Sequence, residues 1–322
     1  MTTAPFASED QFLAAITARF PNVHPHMILG RGDDCALLNC PGTMAMTTDL
    51  FVEDVHFRRG YFSPQDVGHK ALAVNLSDIA AMGGRPLGFS LGLAGPPDTP
   101  AAYWESLLDG MAALAASQDI PLVGGDLNAC AKIVVSVTLW GEAGPSGRLI
   151  LREGAIPGDV LFAVGDVGLS AVGLDVLESL GPDAMAQWPD SVAAHLRPVP
   201  KIAEGLALSG LRGVRCLMDV SDGLARDLPR LLGQKLGADL CVEPDILHPE
   251  VLRRAKETDT DPAELAVVGG EDYALLGTCH HMRFLDIYTQ VPGVWALGTV
   301  TETPGITLNG RKLTRKGFDH FS

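Results

Sequence analysis

The chain has 322 residues, 47% of them hydrophobic, so it is long enough for two domains that each have a core. Its 39 Asp and Glu outnumber 24 Lys and Arg, and the net charge of −15 disfavours nucleic acids and anionic membranes as partners. No uncharged apolar run reaches the roughly 18 to 20 residues of a membrane span, and the N-terminus lacks a signal-peptide pattern, so we expect a cytoplasmic location.

The first half of the chain alternates between helix and strand signals. Ser8 predicts a helix start, with Gln11 three residues later as in a capping box. Ser63 and Pro64 predict a second helix that ends at a pair of glycines, and Thr99 predicts a third that runs to about residue 117. Strands are predicted at 35–38, 43–48, 86–93, 121–123 and 133–140, and the Gly-Gly-Asp motif at 124–126 is expected in the connection between the last two.

One carboxylate of the second predicted helix lies on an apolar stripe. Ala71, Val74, Asp78 and Ala81 follow one another at steps of three and four residues, so they share one helix face. An ionised carboxylate that faces a core is costly unless it is paired or bound to a metal. Asp78 is therefore a candidate metal ligand, the alternative being a helix-terminal Asp that faces a solvent cleft.

A stretch rich in glycine and proline separates the two halves, and we divide the chain into residues 1–147 and 148–322. In the second half, strands are predicted at 160–164 and 216–218, and helices near 170–180, 195–196 and 202–209. Ser221 or Asp222 can cap the next helix, which Pro229 should break. Asn309 and Gly310 predict a hairpin turn. The expected fold class is therefore a two-domain α/β (α+β) fold.

Six short acidic motifs lie mostly at the ends of apolar runs, beside glycine, serine or threonine. They are Gly32-Asp33-Asp34, Thr47-Thr48-Asp49, Asn75-Leu76-Ser77-Asp78, Gly124-Gly125-Asp126, Asp219-Val220-Ser221-Asp222 and Gly269-Gly270-Glu271-Asp272. Each motif alone is ordinary for a turn or a cap. Carboxylates gathered without basic partners repel one another, and Mg²⁺ relieves that repulsion because it takes oxygen ligands and exchanges water for phosphate oxygens. The motifs together indicate a metal-assisted phosphate enzyme.

No P-loop, dinucleotide-binding or protein-kinase signature is present, so metal ions, glycine-rich backbone and a few basic side chains would have to hold a nucleotide. Gly125 permits close backbone approach to a phosphate, and Arg152 is either a phosphate contact or an ordinary surface arginine. Metal-dependent hydrolysis by the same carboxylates stays open. Catalysis by a Ser–His or Cys–His pair is disfavoured, because there is no G-x-S-x-G elbow and histidines such as His56 and His195 have no visible partner by spacing.

The six motifs occur over nearly the whole chain in an order that resembles the thiamine-monophosphate kinase family. The helix motif at 70–83 and the two last motifs are the specific part of the resemblance. The resemblance implies direct transfer of the γ-phosphate of ATP to thiamine monophosphate, which gives thiamine diphosphate and ADP. It also implies a fold similar to that of aminoimidazole ribonucleotide synthetase, and a homodimer in which N-terminal domains pair their sheets, with an α/β C-terminal domain behind each.

The resemblance further implies a role for individual residues. The positions that match magnesium sites are Asp34, Thr47, Thr48, Asp49, Asp78, Asp126, Asp219 and Asp222, and we take Asp126 and Asp222 as the catalytic carboxylates. The positions that match nucleotide contacts are Gly125, Asp126, Arg152 and Ser221. The positions that match thiamine contacts are His56, Glu271 and Phe318. Some relatives have Tyr or Trp near position 318, so the phenylalanine keeps ring stacking and lacks a polar group.

Two other readings belong to different classes. Another ATP-dependent synthetase of the same superfamily would use the same metals, although selenophosphate synthetase is disfavoured because no Cys or Lys precedes Asp34. A non-catalytic metal and nucleotide sensor would be expected to lose some of the carboxylates, and all of them are present. We therefore expect an enzyme that uses several Mg²⁺ ions, with ATP as co-substrate and thiamine monophosphate as acceptor.

Overall fold

A computed structural model describes residues 4–32, 35–39, 42–315 and 317. The chain divides into two compact units, Met1–Ile79 with Arg85–Ala143 and Ala80–Gly84 with Gly144–Ser322. Both units combine helices with a β-sheet, as expected for a two-domain α/β (α+β) fold. Within the described residues, no helix has the length and apolar character that crossing a membrane requires.

The first unit is built around a mixed sheet. Its elements are α1 (Glu9–Arg19), β1 (Met27–Leu29), β2 (Leu37–Leu38), β3 (Met44–Val52), α2 (Pro64–Ala81), β4 (Gly84–Gly95), α3 (Ala101–Ser117), β5 (Leu122–Ala129) and β6 (Val134–Ala143). In the described residues the sheet has the order β3-β6-β4-β5, with β3 and β6 antiparallel and β4 and β5 parallel. Strands β3 and β5 are therefore its two edges.

The predicted starts of the first two helices are confirmed. The Ser8 hydroxyl accepts a hydrogen bond from the Gln11 amide at 3.3 Å and begins α1. At the start of α2, the Asp66 amide donates to the Ser63 hydroxyl at 3.3 Å and the Ser63 amide donates to the Asp66 carboxylate at 3.0 Å. This reciprocal pair satisfies amides that have no partner inside the helix.

The prediction that Gly124-Gly125-Asp126 lies in a connection is wrong, because these residues are inside β5. Strand β5 pairs with β4 from Leu122 to Ala129, so pairing with a neighbouring strand overrides the turn tendency of two consecutive glycines. Gly125 has a packing reason to be there, since a Cβ at this position would lie 1.9 Å from the carbonyl oxygen of Leu91. Asp126 is exposed on this edge strand.

The second unit contains the larger sheet. Its strands are β7 (Val160–Val164), β8 (Val214–Asp219), β9 (Gly237–Leu240), β10 (Leu275–Cys279), β11 (Val294–Thr301), β12 (Gly305–Leu308) and β13 (Arg311–Lys312). Its helices are α4 (Leu169–Leu180), α5 (Ala184–Gln187), α6 (Pro189–Leu196), α7 (Ile202–Gly210), α8 (Leu224–Leu232), α9 (Pro249–Glu257), α10 (Pro262–Val268) and α11 (Phe284–Gln290). The described strands have the order β13-β12-β9-β11-β7-β10-β8. The predicted hairpin turn is confirmed, because Asn309 and Gly310 join β12 to β13 with φ of 49° and 77°.

The prediction for helix α8 is wrong in two respects. Neither Ser221 nor Asp222 caps it, because Gly223 occupies the N-cap and makes no side-chain cap bond. The helix also continues through Pro229 to Leu232. Leucines at 224, 228, 231 and 232 are all buried, and their burial outweighs the backbone hydrogen bond that a proline removes.

Candidate functional site

Residues of β3 and α2 bring two carboxylates together in the first unit. Thr47 and Asp49 are two positions apart on β3, so their side chains lie on the same side of the sheet. The Thr47 hydroxyl donates to Oδ2 of Asp78 on α2 at 2.5 Å. Burial, and after it the charge of Asp78, raises the pKa of Asp49 to about 6. Two carboxylates that raise each other's cost of ionisation form a place where a cation is stabilising.

The donor set of this cluster fits Mg²⁺ in part. Two carboxylates and a hydroxyl are the hard oxygen ligands that Mg²⁺ prefers, and this ion commonly keeps several waters. In the described ranges, no three side chains of His, Cys, Asp or Glu are close enough to surround one ion. The predicted ligand Asp34 lies outside the described residues. Thr47, Asp49 and Asp78 are thus the predicted ligands that the structure brings together.

Two other predicted ligands of the first unit lie apart from this cluster. The Thr48 side chain is on the opposite side of β3, where its hydroxyl is 3.1 Å from the carbonyl oxygen of Val137 and 3.0 Å from the hydroxyl of Thr138. Asp126 is on β5, the other edge of the sheet. Three strand spacings, roughly 14 Å, separate the two edges. Asp49 and Asp126 therefore cannot bind the same ion within one chain.

His56 has an ordered ring in the loop that follows β3. Its Nδ1 accepts a hydrogen bond from the Val52 amide at 3.1 Å, and the ring lies 5.6 Å from that of Phe51. Because Nδ1 is an acceptor here, the proton of the neutral ring is assigned to Nε2. The bond to Val52 thus fixes the orientation of the His56 ring.

The end of β8 and the loop after it carry the predicted residues Asp219, Ser221 and Asp222 in the second unit. Asp219 ends β8 and is 4% exposed. The amides of Ser221 and Asp222 both donate to Oδ2 of Asp227, at 3.1 and 3.0 Å. Burial raises the pKa of Asp227 to about 6. Asp227 therefore fixes the backbone of this loop while its own charge is only partly stabilised.

The sequence predicts carboxylates that gather without basic partners, but Asp222 contacts two arginines. Its Oδ2 lies 2.7 Å from Arg230 and 3.4 Å from Arg226, both on α8. Arg230 also contacts Asp227 at 2.8 Å. The helix repeat explains the difference, because residues four and eight positions after Asp222 return to the same side of α8 as its start.

Glu271 is held by a loop with unusual backbone angles. Its φ is 62° and that of Tyr273 is 50°, a region that costs a residue with a side chain of the order of 1 kcal/mol. The Glu271 amide donates to the Ser221 carbonyl at 2.7 Å. Asp272 accepts hydrogen bonds from the amides of Gly168 and Ser170 at 2.6 and 3.0 Å, and burial raises its pKa to about 8. The loop is thus fixed at several points, and strain at such a place commonly accompanies function.

Two predicted site residues are exposed or lie outside the described residues, and three further residues have contacts that the sequence did not predict. Arg152 is exposed on the segment before β7. Phe318 lies outside the described residues. The acceptor Asp227, the anchor Asp272 and the buried His195 near Glu271 were not assigned a role from the sequence. The sequence holds one indication of the role of Asp227. This residue lies in the first turn of a helix, five residues after Asp222, which is a common place for a side chain that accepts hydrogen bonds from nearby backbone amides.

Comparison with known proteins identifies relatives over most of the chain. The N-terminal domain model of AIR synthase related proteins matches residues 32–143, and the C-terminal domain model matches residues 157–311. The thiamine-monophosphate kinase of Escherichia coli K12 is 38% identical over 311 residues, which are 91% of this chain and 92% of the relative. That of Mycobacterium tuberculosis H37Rv is 36% identical over 295 residues, which are 89% of this chain and 84% of the relative.

Solved structures of the same family have the same fold. The thiamine-monophosphate kinase of Stenotrophomonas maltophilia K279a superposes with a TM-score of 0.79 at 30% identity, over 97% of this chain and 99% of that one. AaThiL complexed with AMPPCP and TMP superposes with a TM-score of 0.78 at 29% identity, over 96% of this chain and 95% of that one.

Proposed function

The chain belongs to the AIR synthase related family and, within it, to the thiamine-monophosphate kinases, and from this we propose that it phosphorylates thiamine monophosphate with ATP. The products are thiamine diphosphate and ADP. The observation that carries the proposal is identity of 34 to 38% with kinases of this name from several bacteria, over most of the chain. A relative complexed with AMPPCP, an ATP analogue, and TMP supports both substrates.

The reaction is one in-line displacement at phosphorus. A phosphate oxygen of thiamine monophosphate forms a bond to the γ-phosphorus of ATP while the bond to the β,γ-bridging oxygen breaks, and the leaving group is ADP. Such a transfer needs positioning and charge stabilisation rather than a covalent intermediate. In the first unit, Gly125 and Asp126 are the proposed nucleotide contacts, and in the second unit they are Arg152 and Ser221.

Magnesium is the proposed cofactor, with Thr47, Asp49 and Asp78 as the ligands that lie together in the described part of the first unit. Asp34, Thr48, Asp126, Asp219 and Asp222 are the other proposed ligands. When bound, the ions supply the positive charge that the phosphate oxygens need in the transition state, and that a chain of net charge −15 lacks. The role of the carboxylates is to hold those charges in place.

Glu271, His56 and Phe318 are the proposed contacts of the thiamine moiety. The carboxylate of Glu271 can accept a hydrogen bond from the aminopyrimidine or face the cationic thiazolium, and an aromatic ring also favours that cation. The ring of His56 is held through Nδ1 by the Val52 amide, and we propose that this ring contacts the thiamine moiety. These contacts select the acceptor, whereas the aspartates act on phosphates and metals.

A homodimer is the proposed assembly, and the edges of the first unit's sheet support it. Met44, Met46 and Leu50 are alternate residues of edge strand β3, and they are 46%, 69% and 59% exposed. An exposed apolar row on an edge strand favours association with a second copy of the chain. Pairing β3 with β5 of the partner subunit would satisfy the backbone groups of both edges and would bring Asp126 of the partner subunit toward Asp49. We also propose a cytoplasmic location.

Product analysis tests the function. The purified protein is incubated with ATP, Mg²⁺ and, in separate reactions, thiamine monophosphate, thiamine or aminoimidazole ribonucleotide precursors. We expect thiamine diphosphate and ADP in equal amounts from the monophosphate only, because one phosphoryl transfer gives the diphosphate only from an acceptor that already carries a phosphate. Use of a purine precursor would favour a synthetase of the same superfamily, and the absence of any turnover would favour a sensor. ATP chiral at the γ-phosphorus should give inversion, whereas retention would indicate a phosphoenzyme.

A further inference from the structure

A buried histidine lies behind Glu271 in the second unit. His195, in the last turn of α6, is 1% exposed, and its Nδ1 lies 3.4 Å from Oε2 of Glu271. The hydroxyl of Ser170, at the start of α4, lies 3.3 Å from the same nitrogen. The Glu271 side chain is itself 28% exposed. The carboxylate thus contacts the histidine within the protein and keeps an accessible part for a ligand.

The contact assigns the proton on the ring. A lone pair on Nδ1 would face a negatively charged carboxylate 3.4 Å away, so we assign the ring hydrogen to Nδ1. Ser170 is fully buried, and its hydroxyl packs beside this nitrogen. With this assignment, the buried histidine places a donor nitrogen beside the carboxylate of Glu271.

The histidine is fixed by the close packing of α4 on α6. At Gly173 of α4, a Cβ would lie 2.0 Å from the carbonyl oxygen of Ser191 and 2.9 Å from the Cβ of His195, so only glycine lets the helices approach this closely. The carboxylate of Glu250 accepts hydrogen bonds from the amide and the hydroxyl of Ser191, at 2.8 and 2.6 Å. These contacts anchor α6 at its first turn and hold its last turn against α4.

The backbone of Glu271 has little conformational freedom. Its backbone is fixed by the hydrogen bond to Ser221, and the next residue, Asp272, is bound to the start of α4. The torsions of the Glu271 side chain are what remains to be ordered. A donor that holds them before the ligand arrives lowers the entropy lost on binding.

We propose that His195, supported by Ser170, is a positioning residue that holds the Glu271 carboxylate toward the aminopyrimidine of the acceptor and so sets acceptor specificity. The proposal rests on the proposed function, in which Glu271 contacts thiamine monophosphate. His195 acts through Glu271 and does not touch the substrate. Through this contact, the packed helices α4 and α6 support the acceptor site.

Three variants test this role by steady-state kinetics. His195→Leu fills the space without a donor, and we expect it to raise KM for thiamine monophosphate about tenfold while KM for ATP changes less than about twofold. His195→Asn keeps an N–H near the position of Nδ1, and we expect it to restore most of the loss. Ser170→Ala, which removes only the hydroxyl, should raise the same KM by about threefold. Urea unfolding of each variant provides the folding control.

A double-mutant cycle and a substrate analogue separate positioning from a general structural effect. In a Glu271→Gln background, His195→Leu should add less than about a twofold change, because the charge that it orients is gone. An analogue with oxygen in place of the 4′-amino group should be discriminated less strongly by His195→Leu than by the wild type.

The outcomes distinguish this proposal from the proposed function. If the wild type does not phosphorylate thiamine monophosphate, both are overturned. If the wild type is active and His195→Leu leaves KM for the acceptor unchanged, or has the same effect with and without Glu271, only the positioning role is overturned. Should His195→Leu not fold, the comparison of His195→Asn and Ser170→Ala with the wild type decides in the same way.

Discussion

At the scale of single residues, Asp49 shows how a proposed metal ligand can reduce stability. Its pKa is raised from 3.8 to about 6 by burial and by Asp78, so the folded state binds a proton more tightly than the unfolded state. The stability that this proton contributes is complete below about pH 3.8 and is lost as the pH rises through 6. At neutral pH the ionised side chain is therefore a cost to the apoprotein.

We predict that Asp49→Asn increases the stability of the metal-free protein and abolishes activity. In EDTA at pH 7.5, its free energy of unfolding should exceed that of the wild type by about 1–2 kcal/mol, a value reduced for solvent screening. The difference should shrink as the pH falls from 6 to 4. Urea unfolding at several pH values measures this, with Asp126→Asn on the exposed edge strand as the control. A difference that does not vary with pH would contradict the assignment.

Asp126 and Asp222 are the residues for which we predict the largest loss of turnover with an intact fold. With Mg²⁺ present, Asp126→Asn or Asp222→Asn should lower kcat at least about a hundredfold, because the loss of transition-state charge stabilisation is about 3 kcal/mol. Steady-state assays measure kcat, and thermal unfolding checks the fold. Asp222→Asn also removes a charged contact of Arg226 and of Arg230, so Arg230→Gln is assayed beside it. Near-normal turnover in both Asp variants would exclude a metal role.

At the scale of elements, the pairing of β4 with β5 gives Gly125 a structural reason that is separate from phosphate binding. A Cβ there would lie 1.9 Å from a backbone oxygen of β4, whereas a Cβ at Gly124 would meet nothing within 4 Å. We predict that Gly125→Ala destabilises the fold by about 2–4 kcal/mol, as overpacking against backbone does, and that Gly124→Ala stays within about 1 kcal/mol of the wild type. Urea unfolding compares the two. Equal stabilities would mean that β5 is displaced from β4 or that the pairing is not formed.

The loop from Gly269 to Tyr273 is hydrogen-bonded to other parts of the second unit. The amides of its left-handed residues Glu271 and Tyr273 donate to carbonyl groups of the loop after β8, and the Asp272 carboxylate between them accepts from amides at the start of α4. Two loops that are distant in sequence thus share one hydrogen-bonded framework. Changes in either loop should therefore be transmitted to the other, through the backbone hydrogen bonds from Glu271 to Ser221 and from Tyr273 to Val220.

At the scale of the whole molecule, the sheet edges predict how two copies share a site. If Asp126 of the partner subunit completes the cluster of Asp49 and Asp78, a heterodimer of Asp49→Asn with Asp126→Asn has one intact site and one site with both changes. Statistical mixing of the two inactive variants should restore about a quarter of the wild-type activity. Co-expression with two different affinity tags and assay of the purified mixture measures this.

The matched control for this experiment is a mixture of Asp49→Asn with Asp78→Asn. Both residues belong to the cluster of one chain, so every site in that heterodimer is damaged and no activity should return. Light scattering should give about twice the chain mass for the wild type. A fully active monomer, or equal recovery in both mixtures, would contradict the shared site.

The sequence by itself determined the α/β character, the starts of α1 and α2, the hairpin at Asn309 and the membership of the kinase family. These depend on local patterns, because caps, turns and motif order are written in consecutive residues. The sequence did not place Gly124-Gly125-Asp126 inside a strand, carry α8 through Pro229, or connect His195 to Glu271. Those outcomes depend on contacts between distant segments, where strand pairing and burial outweigh local tendency. Tertiary structure alone brought Asp49 to Asp78, since only packing decides which side chains from distant segments meet.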